Sequence, residues 1–150
     1  MPGGPDAVPQ IMKKHCRFAL KRGESKIHRW GIFTAEAIPA RRRVIEYTGQ
    51  KIDSKEMFRR RVRQNLYVFL LKNGFAIDGA IGGSGAEYIN HSCSPNLYAR
   101  VAGGHIWFVS LRRIEAGAEL LLDYRISGDY PPVECRCGSA ECRGYLNWLG

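Results

Sequence analysis

Residues 90–96 run Asn90-His91-Ser92-Cys93-Ser94-Pro95-Asn96, setting an amide, an imidazole, a hydroxyl and a thiol side by side ahead of a Pro-Asn turn. Amide and imidazole side chains fix a polar ligand through directed hydrogen bonds. Cys93 has no cysteine close to it in sequence, but Cys135, Cys137 and Cys142 follow near the end of the chain as a C-x-C-x4-C array. Three thiolates are one ligand short of a tetrahedral zinc site, and Cys93 is the candidate fourth. A metal held by Cys93, Cys135, Cys137 and Cys142 would fasten the chain's tail to the seven-residue stretch. Four thiolates leave no open coordination position, so such a metal would be structural. The alternative is two disulfides with a spare thiol, against which the C-x-C spacing weighs. The cysteine count is five, and the leftover Cys16 suits a reducing compartment.

The remaining chain must position these groups. Residues 16–20 read as a first strand, and residues 44–47, β-branched and aromatic, as another that turns at Gly49. Gly31, after Trp30, lets backbone approach a ligand closely. Residues 53–65 read as a short helix, with Asp53 and Glu56 in capping-box register and Arg59, Arg60, Arg61 and Arg63 crowding its exposed side. Residues 66–71 and 75–78 flank Lys72-Asn73-Gly74, a strong hairpin signal. Residues 97–101 and 105–111 flank Gly103-Gly104 and predict a second hairpin, with Trp107 and Phe108 serving its packing and His105 exposed at its turn. Short strands, glycine-rich turns and one helix predict a mainly β domain of small sheets.

Four blocks in this order resemble the SET-domain family of protein lysine methyltransferases. They are residues 25–33 around Trp30-Gly31, Glu46-Tyr47-Thr48-Gly49, the Asn-His-Ser-Cys-x-Pro-Asn stretch, and residues 117–124 ending in Asp123-Tyr124. The array from Cys135 to Cys142 is similar to the zinc-binding post-SET tail of that family. The resemblance covers roughly residues 17–149 and implies a SET-domain fold of several small sheets with a pseudoknot and a short helical insert. The Pro- and Gly-rich start reads as a flexible lead (1–14), and the resemblance divides the rest into a SET domain (15–128) and a zinc-stapled post-SET segment (133–149). The implied reaction moves a methyl group from S-adenosylmethionine to the ε-amine of a protein lysine, most commonly in a histone tail.

Carried over by resemblance, Tyr124 is the catalytic tyrosine, and Tyr47 and Tyr67 line the lysine channel, Tyr67 also touching cofactor. Asn90 and His91 hold the cofactor, His28, Trp30 and Gly31 form the opposite wall, and Arg136 closes over it. Trp148 and Leu149 are expected beside the cofactor. The chain departs from the family pattern at Arg29, in place of the first glycine of Gly-x-Gly, and at Ser84 and Glu87, where the family has Asn and Arg. Leu122 stands where many members have Phe or Tyr, which predicts a channel that admits more than one methyl.

At 150 residues the chain reads as one domain, and a monomer is expected. No apolar run approaches the length of a membrane span, and the N-terminus lacks an apolar signal core. An intracellular protein is expected, on chromatin in a nucleus or in the cytoplasm of a prokaryote. The net charge of +9 is uneven: residues 1–66 hold 16 Lys/Arg against 6 Asp/Glu, whereas residues 101–150 hold 5 against 6. Such a basic half would attract nucleic acid or an acidic partner, or simply serve solubility. A histone tail is itself basic, so this face is not expected to form the peptide groove. The competing reading is a SET-fold binding module, weak in catalysis, whose basic half holds nucleic acid or a protein scaffold. A small zinc-dependent DNA-binding domain fails on ligand spacing, with Cys93 so far upstream of the array.

Overall fold

The computed structural model describes residues 8–63, 65 and 67–148, and its regular structure is mostly short strands with one α-helix among the described residues. The strands β1 (Leu20–Glu24) and β2 (Trp30–Thr34) form an antiparallel ribbon. A five-stranded sheet follows the order β3 (Arg43–Tyr47), β9 (His105–Ser110), β8 (Leu97–Ala102), β10 (Leu121–Leu122), β7 (Asn90–His91). A three-stranded sheet follows β4 (Gln50–Asp53), β6 (Phe75–Asp78), β5 (Val68–Leu70), and β11 (Ile126–Ser127) pairs with β12 (Asn147–Trp148). This is the mainly β architecture of small sheets that the sequence predicts.

Both hairpins form where their turn residues demand. Asn73 and Gly74 have φ of 63° and 78°, and Gly103 and Gly104 have 58° and 79°. Two successive positive φ values give the turn whose twist matches antiparallel strands, and Asn and Gly tolerate it best. Gly49 is a glycine for another reason: a Cβ there would lie 2.1 Å from the Asp78 carbonyl oxygen. The core gathers Ile32, Val44, Ile45, Phe108, Leu120 and Leu122, all buried. Every residue of β9 after His105 is buried, because this strand is covered on both faces. Part of that cover is cationic, with the guanidinium groups of Arg17 and Arg43 5.1 and 5.2 Å from the Trp107 ring.

The strand expected at residues 16–20 is corrected. Cys16 makes a single bridge to Ile45, and the strand proper begins at Leu20, after a 3-10 turn at Lys13–His15. Residues 1–7 of the expected lead lie outside the described residues, and hydrogen bonds join residues 8–14 to the rest. The Met12 N–H donates to the Ser84 carbonyl at 2.8 Å, and Arg22 donates to the Pro9 carbonyl at 3.2 Å. His105 is exposed as expected, yet it bonds Glu46 at 2.7 Å.

The helix α1 (Ser54–Val62) is shorter than 53–65. Asp53 caps it by accepting from the Glu56 N–H at 2.9 Å, but Glu56 turns its own carboxylate to Arg59 and Arg60 rather than back to the cap. The arginine run is only partly solvated. Arg60 reaches the buried Asp78 at 2.8 Å, and Arg61 donates to the Val68 carbonyl at 2.5 Å and lies over Tyr130. Burial pushes the Arg61 ionisation below its ordinary value. Arg59 alone among these three keeps a mostly exposed side chain, at 57%.

Candidate active site

The two segments that carry most of the chemistry are laced together. β7 and β10 run parallel, pairing Asn90 with Leu121 and His91 with Leu122. The Ser92 and Asn96 N–H groups donate to the carbonyls of Leu122 and Leu121, both at 3.1 Å. Asn96, buried, donates from its side chain to the Glu119 carbonyl at 2.9 Å and accepts from the Leu121 N–H at 2.8 Å. The close approach that a pseudoknot requires is therefore present. It brings Tyr124 edge-on to His91, with ring centres 5.3 Å apart.

His91 is a neutral imidazole. Burial foremost, assisted by Arg143 and opposed by Asp123, pushes its pKa down to about 4. Its Nδ1 accepts from the Tyr124 N–H at 3.1 Å, so its proton sits on Nε2, 3.5 Å from the Cys93 sulfur. The 3.7 Å approach of Asp123 to Nδ1 is then not an ion pair.

The sulfurs of Cys93, Cys135, Cys137 and Cys142 lie within 4.8 Å of one another. The Cys93–Cys135 separation is 3.8 Å, far beyond a disulfide and matching the tetrahedral edge of about 3.8 Å that zinc–sulfur bonds of ~2.3 Å imply. Burial raises the Cys93 and Cys135 ionisations, whereas at Cys137 backbone bonds from Cys93 and Ser139 and the neighbouring thiols outweigh burial and bring it down to about 6. At least one ligand is therefore anionic at neutral pH. The donor set fits zinc, and these four residues would hold it. Arg143 adds a second fastening, with a two-pronged bond to Asp123 at 2.9 and 3.0 Å and another to the Leu146 carbonyl at 2.6 Å.

Above this tail opens a cavity of about 350 Å³ lined by His28, Tyr67, Asn90, His91, Tyr124 and Arg136, among others. On the other side of Tyr124 runs a groove of about 640 Å³, bordered by Met57, Leu70, Tyr98, Asp123, Arg125 and Trp148. Tyr124 borders both, as well as a narrow crevice walled by Tyr47, Tyr67, Phe69, Phe108 and Leu122. The Tyr124 hydroxyl donates to the Ile89 carbonyl, and that of Tyr47 to the Tyr67 carbonyl at 2.5 Å. Burial pushes the ionisation of Tyr47, Tyr67 and Tyr124 far up. These phenols stay neutral, and those of Tyr47 and Tyr124, with their protons committed to backbone, present oxygen lone pairs.

A family model described as the SET domain matches residues 29–125. The chain belongs to the SET domain family. It is 37% identical over 150 residues to human "Histone-lysine N-methyltransferase SETD1A" and 35% identical over 148 residues to set-2 of Caenorhabditis elegans, another histone-lysine N-methyltransferase by name. These matches take in 92% of this chain but only 8% and 10% of those relatives, so the chain spans about a tenth of their length. Arabidopsis thaliana SUVH6, solved in complex with SAM, superposes with a TM-score of 0.76 at 30% identity, over 89% of this chain and 34% of that one.

Within this SET domain, not every residue carried over by resemblance reaches the cavity. Trp30 and Gly31 are not among its lining residues. The Trp30 carbonyl accepts from the Asn90 amide at 2.9 Å, and Gly31 makes room for Glu119, whose Oε2 would lie 2.4 Å from a Cβ. Asn90 also donates to Glu119 at 2.9 Å, leaving only its carbonyl oxygen for a ligand. Trp148 borders the groove rather than the cavity and donates to Asp123 at 3.3 Å, and Leu149 lies outside the described residues.

Other lining residues were given no site role from sequence: Ile27, Glu87, Tyr88, Val133, Glu134 and Leu146 line the cavity, and Phe69 the crevice. Phe69 was within reach of sequence, since in the predicted strand 66–71 it lies two positions after Tyr67 and so on the same face by strand alternation. The departures at 84 and 87 are accommodated. Buried Ser84 donates to the Glu46 carbonyl at 2.6 Å, and Glu87 accepts from the Gly85 N–H at 2.8 Å.

Proposed function

We propose that this chain is an S-adenosylmethionine-dependent protein lysine methyltransferase. The observation that carries the reading is that Tyr124, alone among the described residues, borders both the cavity and the groove while its own proton is bound to the Ile89 carbonyl. When bound, S-adenosylmethionine supplies a methyl group on a cationic sulfur. The cavity takes the donor between His28, Asn90, His91 and Arg136, and the groove takes the peptide, whose lysine passes between Tyr47, Tyr67 and Tyr124. The phenol oxygen of Tyr124 accepts from the amine and aligns it for in-line attack. Alignment of this kind lowers barriers by about 7–11 kcal/mol in well-oriented systems. A neutral phenol is no base, so the amine's proton leaves to solvent. An apolar channel and a nearby cation both favour its loss.

Four cysteines, Cys93, Cys135, Cys137 and Cys142, hold one structural zinc in this reading. The relatives' names make a histone tail the first substrate to try, and chromatin the setting. Arg61 of the basic half does line the groove, whereas Arg17, Arg41, Arg42 and Arg43 do not, and in this reading those four form the basic face of a monomer that takes nucleic acid. Leu122, buried at the crevice, puts no hydroxyl there, and on that ground more than one methyl is expected to be accepted.

The test is incubation with labelled donor and a histone panel or whole-cell extract, with and without duplex DNA, followed by mass spectrometry. Folded, zinc-loaded Tyr124→Phe should lose about 100-fold or more in kcat, and the wild type should accumulate products beyond monomethyl. Undiminished turnover in that variant would overturn the assignment. A scaffold without catalysis would give no saturable heat with the donor in calorimetry.

A further inference from the structure

Glu87 is a partly buried acidic residue of this active site, and the methyl-transfer steps above do not use it. It lines the cavity together with Asn90, His91 and Tyr124, and it also lines the narrow crevice with Tyr47, Tyr67 and Leu122. It therefore stands at the joint between the two, where the reacting end of a donor would lie. The 3-10 turn Ala86–Tyr88 carries it, entered through Gly85 at a φ of 107°. The carboxylate lies over Gly83, where a Cβ would come within 2.4 Å of its carbon and both its oxygens. One oxygen accepts from the Gly85 N–H at 2.8 Å.

Burial raises the ionisation of this carboxyl group, and only backbone groups, its own and that of Gly85, offset the effect. By contrast, Glu134 at the rim of the same cavity already pairs with Arg136 at 3.3 Å, both side chains being well exposed. A half-buried carboxylate with no cationic side chain paired to it among the described residues is a site suited to a cation, because an opposite charge is what relieves its desolvation.

We propose that Glu87 is a specificity residue that holds the cationic end of the methyl donor, an inference that rests on the donor reading of this cavity. The shared chemistry is a positive group, which the donor carries twice: on its sulfonium and on its α-ammonium. Negative charge here makes the cavity distinguish a cationic ligand from a neutral adenosine-type one of similar shape.

Calorimetry on the zinc-loaded protein separates the possibilities with three probes. S-adenosylmethionine carries both cations, S-adenosylhomocysteine only the ammonium, and 5′-methylthioadenosine neither. Glu87→Gln, which keeps the acceptor for Gly85 and is checked by thermal melt, should weaken S-adenosylmethionine about tenfold or more and leave 5′-methylthioadenosine unchanged. Loss for S-adenosylhomocysteine as well assigns the ammonium; loss for S-adenosylmethionine alone assigns the sulfonium. Glu87→Asp, keeping the charge, should retain preference for the cationic ligands. Equal loss for all three probes, or no loss for any, overturns the inference while leaving the enzyme reading intact. If the wild type binds none of them, the donor reading itself falls, and this inference with it.

Discussion

Stripping the metal should unfold the tail and not the domain, and the scale of the effect follows from how little that tail buries. Of its described side chains only Cys135, Leu146 and Asn147 are buried, the first two packing on Ile126. At ~1.5–3 kcal/mol per buried apolar side chain this small cluster yields on the order of 6 kcal/mol. Ordering residues 133–148 costs roughly 24 kcal/mol, at ~1.5 kcal/mol for each of about 16 residues. The Asp123–Arg143 pair adds ~2–3 kcal/mol. Zinc held by four thiolates contributes about 10–16 kcal/mol, the one term large enough to close the gap. The tail supplies Val133, Glu134, Cys135, Arg136, Cys137 and Leu146 to the wall of the donor cavity. Its loss should therefore weaken S-adenosylmethionine by about 100-fold or more, ~2.7 kcal/mol. Hydrogen exchange before and after a strong chelator, with zinc content measured alongside, reads the first effect, and calorimetry the second. If amides of residues 133–148 stay protected in metal-free protein and donor affinity is unchanged, zinc is not what orders this segment.

Two stability predictions rest on single contacts. Arg60→Ala should cost about 3–5 kcal/mol in denaturant unfolding, because the Asp78 side chain it pairs with is 2% exposed. Arg59→Ala, removing an exposed i,i+3 pair on the same helix, should cost less than ~0.5 kcal/mol; equal losses would contradict the inward setting of Arg60. Gly31→Ala places a methyl 2.4 Å from the Glu119 carboxylate, itself fixed by Ser25 at 2.9 Å and by Asn90, and should lower stability by about 1–3 kcal/mol. A thermal melt at the wild-type temperature would show instead that the carboxylate can step aside.

What was legible in the sequence had local causes. Asn73-Gly74 and Gly103-Gly104 announce their hairpins because the φ values they take are written in the residues themselves. The metal cluster was legible because C-x-C spacing is a chemical pattern, even though Cys93 comes from another segment. The misses are cases where a distant segment decides. Residues 16–20 look like a strand, yet Cys16 pairs only with Ile45, and the ribbon starts where Leu20 meets Thr34. Arg60 and Arg61 look like a solvated run until β6 brings Asp78, and β5 the Val68 carbonyl, beneath the helix. Gly31 looks like a ligand-facing glycine, but the group it admits is Glu119.

That substitution of an internal carboxylate for an external ligand explains how the site stays in register. Glu119 receives Ser25 from the loop ahead of β2 and Asn90 from β7, while its carbonyl receives Asn96. Loop, amide–imidazole pair and tyrosine segment are thus tied to one residue, five positions before Tyr124. A partly satisfied buried network would cost more than apolar packing, whereas this one leaves few donors unmet, so it can specify geometry. Both Asn90 amide protons are consumed in doing so. Asn90 therefore acts on a bound donor mainly by shaping the wall beside His91, with one carbonyl oxygen left to accept. Among the described residues that line the cavity the carboxylates are those of Glu87 and Glu134, and Glu134 already pairs with Arg136.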